Sequence, residues 1–102
     1  MVIKMNIKKQ LNGTELTLSL SGALDTENAP KLEEVMNESL TGVTSLIIDL
    51  KDLNYISSSG LRVLLMASKT MNRQGTMVVK NPNEVVSEVF EFTGFNDILT
   101  IA

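Results

Sequence analysis

Short strands alternating with amphipathic helices, opened by a strand hairpin, predict an α/β fold: a mixed four- to five-stranded sheet with three to four helices packed on it. Three observations carry the prediction. Apolar residues alternate at every second position over 3–9 and 15–20. They recur at three- and four-residue spacing in segments beginning near residues 29, 61 and 84. Short apolar runs, Leu46–Leu50 and Met77–Val79, separate those segments. Strands alternating with helices imply parallel crossovers, and the opening hairpin adds an antiparallel pair. The chain has 102 residues, so one domain over 1–102 is expected. At this size folding can bury roughly 60–70% of the unfolded surface, enough for one modest core.

The first strand places Ile3, Met5 and Ile7 on one face and Lys4, Asn6 and Lys8 on the other. Asn12-Gly13 supplies a turn that tolerates positive φ, within a loop expected to exceed two residues. The second strand turns Leu16, Leu18 and Leu20 inward, and Gly22 is expected to end the pair. Leu24–Asn28 is a polar connection. Asn28 is the expected N-cap of a helix with Pro30 in its first turn, where a missing N–H costs nothing. Ala29, Leu32, Val35, Met36 and Leu40 form its inner face, and Gly42 sits where a C-terminal cap belongs.

Leu46–Leu50 lacks alternation, which predicts a short strand buried on both faces, with residues 51–56 as a connection. A second helix is expected from about Leu61 to Arg73, stopped by Gly75. Its first turns are apolar nearly all round, so it should be the most buried helix. Met77–Val79 is another short strand. Asn83 is the expected cap of a third helix with Val85, Val86, Val89 and Phe90 inward and Glu84, Glu88 and Glu91 outward, broken at Thr93-Gly94. Met36, Met66, Met71 and Met77 fall on core faces. The tail adds Ile98, Leu99 and Ile101, expected as a final turn on the core.

Composition removes several chemistries. The chain has no Cys and no His, which excludes disulfides, thiol nucleophiles, His- or Cys-ligated metals and a Ser-His-Asp triad within it. Asp25, Asp49 and Asp52 match no loop with a known ligand code, and the latter two read as structural residues at a strand end and in a loop; no metal or other cofactor is expected. No phosphate loop ending in Gly-Lys-Ser/Thr is present. The net charge is −3; Lys4, Lys8 and Lys9 make a thin basic patch, so no direct nucleic-acid contact is expected. The longest apolar run, Val63–Ala67, spans five residues, against about 20 for a membrane span. No secretory signal is visible at the N-terminus, and a cytoplasmic protein is expected.

The informative stretch runs from Ile47 to Arg62. A strand leads through a short loop to Ser57-Ser58-Ser59-Gly60 at a helix start. The first turn of a helix leaves backbone N–H groups unpaired and presents the positive end of its dipole, so a hydroxyl there can cap the helix and a phosphate there is stabilised. Three consecutive serines exceed what one cap requires. Gly60 serves either close packing or the approach of a partner's backbone. Arg62 is either solvated or a clamp for a phosphate.

With those residues in view, the chain resembles the STAS domain of anti-sigma factor antagonists. The match rests on Gly22-Ala23-Leu24-Asp25, Ile47-Ile48-Asp49-Leu50, Tyr55–Leu61 and Thr93-Gly94-Phe95, in that order across essentially the whole chain. In that family the helix start reads Asp-Ser-Ser-Gly or Asp-Ser-Ala-Gly, and the serine after the Asp is phosphorylated by the cognate anti-sigma kinase. Laid on this chain the acceptor is Ser58, with Ser57 and Ser59 as neighbouring registers; Ser57 stands where the family has Asp. The resemblance implies a STAS-like fold and a non-enzymatic partner switch. It binds an anti-sigma factor serine kinase when unphosphorylated, lets go when phosphorylated, and is reset by a serine phosphatase. Asp25, Ser57, Ser59, Gly60 and Arg62 are the partner-contact candidates, and a monomer is expected. The alternative is an accessory subunit of a transporter or stress-signalling assembly without a sigma factor.

Overall fold

The computed structural model describes residues 5–102. Its elements are β1 (Met5–Asn12), β2 (Glu15–Leu24), α1 (Ala29–Ser39), β3 (Ser45–Ile56), α2 (Ser58–Met71), β4 (Thr76–Lys80), α3 (Glu84–Thr93) and a 3₁₀ turn at Phe95–Asp97. The sheet order is β1-β2-β3-β4, with β1 antiparallel to β2 and the other neighbours parallel. A parallel bridge between Val79 and Ile101 adds a fragment of a fifth strand on the β4 edge. The expected strand assignment of Ile3 and Lys4 lies outside the described residues.

The hairpin is tighter than expected. Asn12 pairs with Glu15, leaving Gly13-Thr14 as a two-residue loop. Gly13 takes φ +65 at the first loop position, where a β-branched or bulky residue would be strained. The inward stripe of Leu16, Leu18 and Leu20 is fully buried as the alternation requires. Gly22, in contrast, does not end the pair. It takes φ +88 at a bulge, between the pairings Gly22↔Leu53 and Ala23↔Tyr55, and β2 continues to Leu24.

Residues 51–56 are strand, not connection: β3 runs for 12 residues. Leu46, Ile48 and Leu50 are buried while Ile47 and Asp49 are only half-buried, so β3 alternates and is not covered on both faces. Two irregularities in its pairing with β2 then place Leu53 and Ile56 inward at three-residue spacing. Asp49 and Asp52 consequently lie inside the strand. Asp49 Oδ1 accepts from the Lys51 N–H at 3.0 Å and from Asn81 Nδ2 at 3.2 Å.

The helices cover the leucine-rich stripe. α2 buries Leu61, Val63, Leu64, Ala67 and Met71 against it, more apolar side chains than α1 or α3 contributes. Three side chains depart from the expected inner faces. Met66 is 41% exposed, Val85 51% and Ile98 49%. Each belongs to an apolar run in which the position, not the residue type, decides burial. Asn83 caps α3 by accepting from the Val86 N–H at 2.8 Å, and Gly94 at φ +80 closes that helix. Asn28 makes no cap bond. Its side chain turns back to accept from the Asp25 N–H at 2.8 Å and to donate to the Ala23 carbonyl at 2.7 Å.

Candidate functional site

Two parallel strands bring the site together. Leu24 at the end of β2 is the register neighbour of Ile56 at the end of β3. The chain therefore leaves the sheet at the same end twice, once into the Asp25–Asn28 loop and once into Ser57. That end of a parallel sheet is where α/β folds place ligand-binding loops. The Ser57 N–H donates to the Leu24 carbonyl at 2.8 Å, joining the two exits directly.

The serine cluster divides its work. Ser57 is 8% exposed, and its Oγ accepts from the Gly60 N–H at 3.2 Å. Its carbonyl accepts from the Leu61 N–H at 3.0 Å. It is the N-cap, and little of it reaches the surface. Gly60 is buried, and a Cβ there would lie 2.6 Å from Leu24 Cγ and 3.0 Å from Ile56 Cγ1. The missing side chain thus lets α2 pack closely on the two strand ends. Ser58, the first residue of α2, is exposed, and Ser59 is half-buried. The N–H groups of Ser58 and Ser59 precede any carbonyl that the helix can offer them, so the exposed hydroxyl sits in a field that favours negative charge.

The neighbours of the cluster come from both exits. Asp25 is half-buried; its Oδ1 accepts from the Asn28 N–H at 2.9 Å, so its carboxylate holds the loop together. Arg62 is exposed and follows Ser58 by four residues, on the same side of α2. A cleft of about 170 Å³ beside the cluster is lined by Thr26, Pro30 and Glu33 from the α1 side and by Ser59, Arg62 and Met66 from α2. Sequence reasoning missed Thr26, Glu33 and Met66. Met66 carried a usable signal, since it follows Arg62 by four residues and shares its exposed face.

A family model described as the STAS domain matches residues 5–102. The chain belongs to the STAS domain family. This STAS domain is 38% identical over 89 residues to BtrV of Bordetella bronchiseptica, named as a candidate anti-sigma factor antagonist, covering 85% of this chain and 77% of that protein. It is 29% identical over 101 residues to the anti-sigma-B factor antagonist of Bacillus subtilis, covering 98% and 93% of the two chains. Its fold matches SpoIIAA in unphosphorylated form with a TM-score of 0.81 at 21% identity, over 95% of this chain and 88% of that one. The phosphorylated form of Bacillus SpoIIAA matches with a TM-score of 0.75 at 20% identity, over 95% and 91%. At these identities the structural likeness speaks for the fold. At the level of the family, the function is that of an anti-sigma factor antagonist.

Proposed function

We propose that this STAS domain, a single domain over 1–102, is an anti-sigma factor antagonist switched by phosphorylation of Ser58. Unphosphorylated, it docks on an anti-sigma factor through the surface where β2 and β3 end. The partner is a serine kinase that places a phosphate on Ser58 from Mg-ATP and is thereby released; a serine phosphatase resets the switch. The domain acts as a cytoplasmic monomer and is itself no enzyme. Among the described residues, no helix is long and apolar enough to cross a membrane.

One observation carries the reading: of the three serines, Ser58 alone is exposed, held between a buried cap and a buried glycine. The same framing leaves Ser57 and Gly60 to shape the docking surface from beneath, while Ser59, Arg62 and the Asp25 loop border it. A phosphate brings about −1.5 to −2 charges at neutral pH. At a helix N-terminus that charge is tolerated by the fold, so its effect falls on the docking surface through bulk, desolvation and repulsion of partner carboxylates.

The test is incubation of the protein with its anti-sigma kinase and Mg-ATP, followed by mass mapping. Stoichiometric modification of Ser58, absent in the Ser58→Ala variant, is the expected result. A kinase that is active on another substrate yet leaves the serine cluster unmodified, or modifies only a residue outside it, contradicts the reading.

A further inference from the structure

The opposite end of α2 borders an unpaired stretch of sheet edge. The Val79 N–H donates to the Thr100 carbonyl at 2.8 Å, and the Val79 carbonyl accepts from the Ala102 N–H at 2.9 Å. Both main-chain groups of Val79 therefore point away from β3. In a parallel ladder these groups alternate sides from residue to residue, so those of Met77, two positions earlier, also point outward. The tail bonds the edge at Val79, and no main-chain bond from it reaches Met77 among the described residues.

A cavity of about 250 Å³ lies against this open stretch, between β4, the last turns of α2 and the tail at Ile98–Thr100. Ser68 lines it and is 9% exposed. The Ser68 hydroxyl has no hydrogen-bond partner among the described residues. Since no fully buried side-chain polar atom there lacks a partner, this hydroxyl is reached from the cavity. Asn72, one turn further along α2, adds an amide to the same wall, while Met77 and Ile98 supply apolar surface.

We infer that the β4 edge at Thr76–Val78 is a docking site for a short extended segment of a partner protein, added as a strand beside Met77. Three features favour peptide over a small molecule. The outward N–H and C=O of Met77 match the pairing groups of an extended chain. The tail already makes such a parallel bridge one pair further along the same edge. The cavity is smaller than the roughly 300–1,000 Å³ of typical small-molecule pockets. Ser68 would contact the incoming chain from the core side. This site lies ten residues along α2 from Ser58, about 15 Å at the helical rise, so a partner could be held here in either state of Ser58.

The test is an amide NMR titration of the full chain with acetyl-Leu-Thr-Ile-Ala-amide, a copy of residues 99–102. The expected result is shifts confined to Ser68, Asn72 and Thr76–Val78, with slowed hydrogen exchange at Met77. Ser68→Leu, which fills the cavity, should weaken binding at least about tenfold, and Met77→Pro, which removes an outward N–H that an edge strand can spare, should do the same. If one variant misfolds, the other decides. Four outcomes overturn the inference: no shifts, shifts elsewhere, displacement of the tail at Val79 without protection of Met77, or undiminished binding by a folded variant. Concentration-dependent shifts at this edge without peptide also overturn it, since they assign the edge to a second copy.

Discussion

At the scale of single residues, Ser57 and Gly60 set where Ser58 stands. Replacing a helical glycine by alanine ordinarily stabilises by about 1 kcal/mol. Gly60→Ala should instead destabilise, by about 1–3 kcal/mol, because its Cβ meets Leu24 Cγ at 2.6 Å and Leu24 is fully buried with no room to yield. Urea denaturation measures this, and a stabilised variant contradicts the packing role. Ser57→Ala removes the cap and should cost about 1 kcal/mol, while Ser57→Asp, the residue usual in the family, should keep stability within about 0.5 kcal/mol because Asp caps as well as Ser. The cap, the spare hydroxyl and the tight glycine were all legible as options in Ser57-Ser58-Ser59-Gly60. The sequence does not say which serine is the buried one, since that follows from how β2 and β3 end side by side. Asn28 shows the reverse: its residue type suits a cap, yet its side chain bonds the Asp25 N–H and the Ala23 carbonyl of β2 instead of the helix end.

At the scale of elements, helices were easier to read than strands. The three-and-four spacing of Leu32, Met36 and Leu40, or of Leu61, Leu64 and Met71, survives into the structure because a helix repeats without interruption. β3 breaks its own period. The bulges opposite β2 let Leu50, Leu53 and Ile56 all face inward at three-residue steps, a spacing that no two-residue template recognises. Lys51 and Asp52, exposed between them, then read as loop. Asn83 joins an element to the sheet twice, as the α3 cap and by donating to the Leu53 carbonyl at 2.9 Å. Asn83→Ala should therefore cost about 1–2 kcal/mol, at the upper end for a cap, and loosen α3 more than α1 in hydrogen exchange. Equal loosening of both helices would show that the link to β3 contributes nothing.

At the scale of the whole molecule, α2 separates two surfaces. One end carries the exposed hydroxyl where two parallel strands finish; the other borders the open edge of β4. Between them lies the most buried stretch of helix, which lets charge change at one end without disturbing the core. Phosphorylation of Ser58 should thus alter the unfolding free energy by less than about 1 kcal/mol, because a helix N-terminus favours the added charge. A cooperative transition displaced further would mean that the switch works by loosening the fold. The overall architecture was legible because element order and crossover handedness leave few topologies. The meeting of the Asp25 loop with the serine cluster was available only through the family resemblance, because residues so far apart become neighbours through the β2–β3 register.

The most direct measurement is the affinity of the anti-sigma kinase for three forms of the chain: unmodified, Ser58→Ala, and phosphorylated at Ser58. The first two should bind tightly and the third should lose affinity on the order of 100-fold, with unchanged circular dichroism. Equal affinity for the phosphorylated and unmodified forms would contradict the switch.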